Sequence, residues 1–247
     1  MLTIEIVSYI LWGLLAVILL PVLFLTVVAL TVDPRKEYNR ENSFYRAVLN
    51  GSTGAALWLL GIKFTVVGAE KLPESGNFLF ISNHRSNYDP IIQWYALKQH
   101  RISFVSKGQN FRIPIFGRLI RRCCFMEIDR SSPKSSMLTV NRAASLLNET
   151  ENCVGVYPEG TRSKNCVLLP FHNGVLKIAQ KAEKPLVISV IEGTEDIFRN
   201  IKRFRRSQVI ITILETLPAE QVKKTKTAEL GGYALSLMEQ ALGDIKE

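Results

Sequence analysis

Short apolar runs recur along the chain, separated by stretches with helical spacing. The runs fall at 62–67 (IKFTVV), 77–82 (NFLFIS), 102–106 (ISFVS), 123–128 (CCFMEI), 152–157 (NCVGVY), 186–191 (LVISVI) and 208–214 (QVIITIL). Their length and near-continuous apolarity predict strands of a largely buried sheet. Residues 134–149 place Met137, Val140, Ala144 and Leu147 on one helical face, and 227–245 does the same with Leu230, Tyr233, Leu237, Met238, Ala241 and Ile245. This alternation predicts an α/β fold over 62–247, a single domain whose mixed or parallel sheet is flanked by helices.

The first 61 residues follow a different pattern. From Ile6 to Val32 there are 27 residues without a charge. As a helix they would extend about 40 Å, enough for a hydrocarbon core of ~30 Å. Pro21 predicts a kink and leaves open whether the helix spans the bilayer or enters and returns. Arg35, Lys36 and Arg40 follow and place that flank on the cytoplasmic side. The run is too long for a cleaved signal peptide, and Glu5 stands where a basic flank is needed. Residues 42–61 read as an amphipathic helix lying on the membrane. Phe44, Val48, Ala55, Trp58 and Leu59 supply its apolar surface, Arg46, Asn50 and Ser52 its polar breaks, and Gly51 and Gly54 weaken it. The expectation is a membrane-anchoring two-helix segment over 1–61, with the α/β domain at the cytoplasmic face of the cell membrane.

Composition adds limits. An apolar fraction of 47% in 247 residues excludes a disordered or collagen-like chain. A mean hydropathy of +0.11 suits a chain that partly meets lipid. All 31 basic residues and 21 of the 22 acidic ones follow Val32. Two basic runs stand out: Arg112, Arg118, Arg121 and Arg122, then Arg199, Lys202, Arg203, Arg205 and Arg206. Beside an apolar anchor they read as contacts for anionic lipid headgroups or as ordinary solvated charge; no recognition motif points to nucleic acid. Cys123, Cys124, Cys153 and Cys166 form no CxxC or zinc spacing and read as buried reduced thiols. With three scattered histidines and no HExxH, a metal-dependent hydrolase finds no support.

Three polar clusters follow apolar strands directly: NHRSNYD after 77–82, DR after 123–128 and PEGTR after 152–157. Ligands of α/β sheets gather at the carboxyl ends of strands, so parallel strands would bring the clusters to one edge. His84 and Asp89 are five apart, about 500° around a continuous helix, and would not share a face. They meet if the chain turns between them and enters a helix at Pro90. Asp89 would then also suit an N-cap, with Pro90 at the first helical position. An imidazole held by a carboxylate is a general base with a fixed tautomer. No GxSxG elbow supplies a serine nucleophile, so the proton would come from a substrate hydroxyl or from water. Arg162 in PEGTRS offers a fork suited to phosphate, beside Glu159 and a Gly160 that permits close backbone approach. Lys107 reads as a second phosphate contact or a solvated lysine, and Asp129–Arg130 as a structural ion pair.

The order NHRSNYD, FMEIDR, YPEGTRS resembles the bacterial 1-acyl-sn-glycerol-3-phosphate acyltransferases of the glycerolipid acyltransferase superfamily, over about residues 60–192. The resemblance implies transfer of a fatty acyl group from acyl-CoA or acyl-acyl carrier protein to the sn-2 hydroxyl of lysophosphatidate, forming phosphatidic acid in phospholipid biosynthesis. It assigns His84 as the general base and Asp89 as its support, with direct attack and no acyl-enzyme. Lys107 and Arg162 become phosphate ligands, Arg130 lies near the acceptor, and Glu159, Gly160 and Thr161 shape its site. A nonpolar tunnel holds the acyl chain, and neither a metal nor another cofactor is needed. The chain departs from the family at Ser189, where a second proline is usual beside Pro185, and at Phe171–His172, where a lysine usually follows the phenylalanine. His172 reads as a rim or structural residue and His100 as a surface one. Glycerol 3-phosphate or a headgroup-bearing lysophospholipid are alternative acceptors. A lipid-binding protein without turnover leaves the His–Asp pair unexplained.

Overall fold

A computed structural model describes the chain except residues 1, 130, 164 and 245–247; the side chains of 2–4, 7, 10, 11, 14 and 244 are also outside the description. Each of the seven apolar runs overlaps a strand: β1 (Ile62–Val67), β2 (Leu79–Ser82), β3 (Ser103–Lys107), β4 (Met126–Ile128), β5 (Val154–Val156), β6 (Leu186–Glu192) and β7 (Ser207–Leu217). They form one sheet in the order β1-β7-β6-β2-β5-β3-β4. Every neighbouring pair is parallel except β6 and β7. β4 starts three residues later than its apolar run because Cys124 turns the chain at φ 61°.

Helices cover both faces: α1 (Leu2–Leu30), α2 (Ser43–Leu59), α3 (Tyr88–Ala96), α4 (Phe116–Arg122), α5 (Pro133–Glu149), α6 (Lys177–Ala182), α7 (Ile197–Lys202), α8 (Ala219–Lys224) and α9 (Thr227–Asp244). Side chains of a strand alternate between faces. Phe78 and Phe80 therefore join one core with Trp94, Phe104 and Leu49, while Leu79 and Ile81 join the other with Val154, Leu147 and Met238. Central β2 is buried throughout, whereas edge strand β1 alternates. Of the predicted α5 stripe, Met137 is exposed; Ile245 of the α9 stripe lies outside the described residues.

The amino-terminal segment forms two helices and brings one correction, at Arg46. α1 runs unbroken through Pro21. Val28, Ala29 and Val32 are buried, and Arg118 Nη1 on α4 donates to Val32 O at 2.8 Å, satisfying a carbonyl at the helix end. Among the described residues, no helix is long and apolar enough to cross a membrane; part of the expected span lies outside them. Of the apolar surface expected on α2, Phe44, Ala55, Trp58 and Leu59 are exposed, whereas Val48 packs against the core. Arg46, expected as a polar break, is on the buried face with Leu49, Thr53 and Leu57. Its guanidinium donates to Glu41 Oε2, Ile102 O, Ser103 Oγ and Cys123 O. The isolated α2 pattern concealed this because, apart from Glu41, these partners lie 56 to 77 positions away.

Three other expectations change. Arg118, Arg121 and Arg122 do not form a free basic run: Arg121 lies over Phe111 and near Glu127, and Arg122 over Tyr38 and Tyr45. His100 is half-buried edge-on to Phe78 rather than on the surface, and burial lowers its pKa. Cys123, Cys124 and Cys153 are buried, their thiols pushed up to about 12, but Cys166 is only partly buried.

Candidate active site

The turn from β2 into α3 carries the reactive pair. Asn83 fastens the end of β2 to β6, donating to Ile191 O at 3.0 Å and accepting from Ile191 N at 2.7 Å. The chain then folds back so that His84 Nδ1 lies 2.7 Å from Asp89 Oδ2. The same oxygen accepts from Arg85 N and Ser86 N, both at 2.7 Å. α3 starts at Tyr88, two residues before the expected Pro90. Asp89 is therefore inside the first turn, and its carboxylate is directed back to the loop, not to a cap.

The other oxygen, Oδ1, accepts from Thr194 Oγ1 at 2.5 Å. Thr194 follows β6, beyond Gly193. Gly193 has φ 82°, and a Cβ there would strike Gln208 O, so the turn requires glycine. Arg85 secures this turn again through Glu195 at 3.1 Å. Asp89 is fully buried while the His84 side chain retains 18% exposure, so the pair opens outward only at the imidazole.

Tyr157 at the end of β5 sets the ring plane. Its ring stacks on His84 at 4.2 Å and 15°, and on Phe104 at 5.4 Å. Its hydroxyl donates to Gln93 Oε1 at 2.7 Å. Burial, aided by the Asp89 charge, holds the phenol well above its usual range, so it stays neutral. In the tautomer with the proton on Nδ1, Asp89 accepts that hydrogen bond and Nε2 keeps a free lone pair.

Glu159 and Gly160 act on the loops. Glu159 is 2% exposed; its carboxylate accepts from His84 N at 2.6 Å and Leu169 N at 2.9 Å. Burial raises its pKa, against the lowering effect of those two bonds. Ser163 N donates to His84 O at 2.8 Å, completing the tie between the β2 and β5 loops. Gly160 adopts φ 71°.

A cavity of about 780 Å³ opens beside His84. Lys107, Gly160, Arg162, His172, Lys177 and Lys181 line it, as do Ile91, Trp94, Phe104, Phe116, Ile120 and Phe125. The charged side chains in this set are exposed, whereas Trp94, Phe104, Ile120 and Phe125 are buried. The arrangement offers a base, a cationic rim and an apolar recess in one space. Thr161 is exposed and Glu159 buried, and neither lines the cavity. Arg130 lies outside the described residues. Asp129 bonds Ser131, which lowers its pKa. Among the described residues, no group of three His, Cys, Asp or Glu side chains could hold a metal ion. Ser189, where the resemblance expects proline, sits at the β6 bulge and donates to Ile81 O at 2.9 Å.

Thr194 and Tyr157 are missing from the sequence reading. Thr194 lies in EGTED, a fourth polar cluster directly after an apolar strand, so the same signal marks it. Tyr157 directly precedes PEGTR but reads as the end of a strand. Lys177 and Lys181 carry no local signal.

Comparison with known proteins bears on this geometry. The family model described as Acyltransferase matches residues 63–192. The 1-acyl-sn-glycerol-3-phosphate acyltransferase of Haemophilus influenzae is 28% identical over 169 residues, 68% of this chain and 70% of the relative. That of Escherichia coli is 26% identical over 208 residues, 84% of each chain. That of Limnanthes douglasii is 27% identical over 210 residues, 85% of this chain and 68% of the relative. The crystal structure of the 1-acyl-sn-glycerophosphate acyltransferase from Thermotoga maritima has the same fold, with TM-score 0.66 and 23% identity over 82% of this chain and 81% of the other.

Proposed function

The chain belongs to the acyltransferase family, and from that premise we propose that it acylates the sn-2 hydroxyl of 1-acyl-sn-glycerol 3-phosphate, forming phosphatidic acid from an acyl thioester. The observation that carries this reading is the 2.7 Å His84–Asp89 pair beside a cavity with a cationic rim and apolar walls. Relatives named for this acceptor align over most of the chain.

In the proposed reaction the sn-2 oxygen attacks the thioester carbonyl carbon as His84 Nε2 takes the hydroxyl proton. The tetrahedral intermediate collapses, the C–S bond breaks, and the imidazolium returns the proton to the departing sulfur. Asp89 fixes the tautomer and offsets the imidazolium charge. Arg162 and Lys107 bind the acceptor phosphate, whose monoester dianion suits a guanidinium fork and a nearby ammonium. The apolar walls take an acyl chain. Acyl-CoA and acyl-acyl carrier protein both present the required thioester.

The acceptor is a membrane lipid, and we place α1 in the bilayer. This placement draws on exposed Val17, Ile18, Leu19, Leu20, Leu23 and Phe24 and on the basic flank Arg35, Lys36 and Arg40. The catalytic domain would then face the cytoplasm.

Thiol release from palmitoyl-CoA, measured on detergent-purified protein with and without 1-oleoyl-lysophosphatidate, tests the reaction. Acceptor-dependent release that is lost in His84→Ala is expected. Equal release by the variant would overturn the base assignment. Faster release with glycerol 3-phosphate would replace the acceptor.

A further inference from the structure

A second surface lies on the same edge of the sheet as His84. β6 ends at that edge with Glu192, and antiparallel β7 starts there at Ser207. α7 and the turn at 203–206 fill the interval. β1 is parallel to β7 with Ile62 opposite Ser207, so the end of α2 arrives at the same edge. Ser207 N donates to Gly61 O at 3.2 Å.

Four large apolar side chains stand in solvent here: Phe204 at 100% exposure, Trp58 at 80%, Leu59 at 73% and Phe198 at 61%. A lone exposed apolar residue is ordinary, but a group of them rimmed by charge marks an interaction site. Phe204 sits at φ 53°, a left-handed conformation that a bulky side chain rarely adopts. Arg199, Lys202, Arg203, Arg205 and Arg206 surround the two phenylalanines in sequence. Arg199 pairs with Asp196 at 2.8 Å, and Lys202 Nζ lies 4.4 Å from the Phe198 ring centroid. Among the described residues, Arg203, Arg205 and Arg206 have no carboxylate partner.

We propose that Trp58, Leu59, Phe198 and Phe204, with this basic run, form a docking face for an anionic lipid bilayer, separate from α1. Aromatic and aliphatic side chains enter the headgroup boundary while lysines and arginines meet lipid phosphates. The sheet order puts this face beside the His84 cavity, so docking turns the cavity mouth toward the lipid that supplies the acceptor. An acidic protein would match the arginines but would give Phe204 and Trp58 no apolar layer to enter.

The test uses the full chain in phosphatidylcholine vesicles containing phosphatidylglycerol. Phe204→Cys and, as a control on the opposite edge, Lys224→Cys are each labelled with a polarity-sensitive fluorophore in a Cys166→Ser background. The label at 204 is expected to shift to the blue and to be quenched by brominated lipid, and the label at 224 to report water. Matching water-like signals at both positions would overturn the proposal. The triple change Arg203→Glu, Arg205→Glu, Arg206→Glu should slow turnover on these vesicles by roughly tenfold or more, from about 1 kcal/mol per basic residue, and leave turnover in neutral detergent micelles unchanged. A loss in micelles confined to a carrier-protein-borne donor would assign the face to an acidic protein and overturn the lipid proposal. The fluorescence readout needs no turnover, so its failure is separable from failure of the acyl-transfer reading.

Discussion

Two buried polar networks occupy opposite ends of the sheet. At the carboxyl edge, Thr194, Arg85 N and Ser86 N converge on Asp89, which holds His84. At the amino end of β3, Arg46, Glu41, Ser103 and Asn152 converge on one another and on Cys123 O. Both networks obey the same rule, since a buried charge must be paired and hydrogen-bonded. They differ in where the last group is directed. The Arg46 and Glu41 side chains are 6% and 4% exposed, and the network runs on through Arg101 to the exposed Glu151, neither of which lines the cavity. The His84 network ends in an imidazole nitrogen facing a cavity. An end away from the cavity makes one a clasp between α2 and the sheet; an end in the cavity makes the other a site.

The sharpest separation comes from one substitution in each network. His84→Ala should lower kcat by roughly 10²- to 10⁴-fold, the usual range for loss of a general base, with the unfolding midpoint unchanged. Arg46→Ala should do the reverse. It leaves the buried Glu41 carboxylate with only Asn152 and the more distant Arg101, and removing one partner of a buried pair costs about 3–5 kcal/mol. Urea denaturation in detergent should show that loss, while kcat per folded molecule holds. The double change Arg46→Met, Glu41→Leu removes both charges and should recover part of the stability. A large kcat loss in folded Arg46→Ala protein would break the contrast.

The two networks also differ in how well the sequence shows them. His84 and Asp89 are five residues apart behind an apolar strand, so a local motif reveals them. The strands are legible because central strands of a mostly parallel sheet are apolar on both faces. Arg46 and Glu41 are also five apart, but no apolar strand precedes them, and the carbonyls that bury Arg46 lie 56 and 77 positions away. Nothing within α2 marks it as buried, and a helical pattern assigns charge to the solvent side. Thr194 lies 105 residues from Asp89. The Tyr157–His84 stack joins two strands that pair only in the folded sheet. Local chemistry is visible in the sequence, while the side chains that fix its geometry are brought in by topology.

Thr194 tests that division with a smaller effect. It touches no substrate in the proposed reaction and is a positioning residue. Thr194→Val leaves Asp89 Oδ1 without its donor and should lower kcat roughly tenfold, about 1.4 kcal/mol in the barrier, with KM unchanged. Thr194→Ser keeps the hydroxyl and should restore most of the rate. Full activity in Val with a loss in Ser would show that the methyl group's packing matters, not the hydrogen bond.

The smallest expected effect concerns Glu159, which ties the two loops together without lining the cavity. Its folded pKa is raised by burial, against the two backbone N–H groups that lower it. The folded state therefore keeps this proton at pH values where the unfolded chain, near 4.3, has lost it. The stability from this group is fully present below the unfolded value and is lost as pH rises through the folded one. Glu159→Gln removes the titration. The stability of wild type relative to Gln should therefore be greatest near pH 4 and decline toward neutral pH, measured as the difference in midpoint between the two proteins at each pH. Taking the difference cancels the other carboxylates, which titrate alike in both. A difference that grows with pH would mean that the ionised carboxylate, held by His84 N and Leu169 N, is the favoured folded form. Glu159 would then resemble Asp89, a buried anion sustained by the backbone, and the contrast between tie and site would narrow to the single imidazole that faces the cavity.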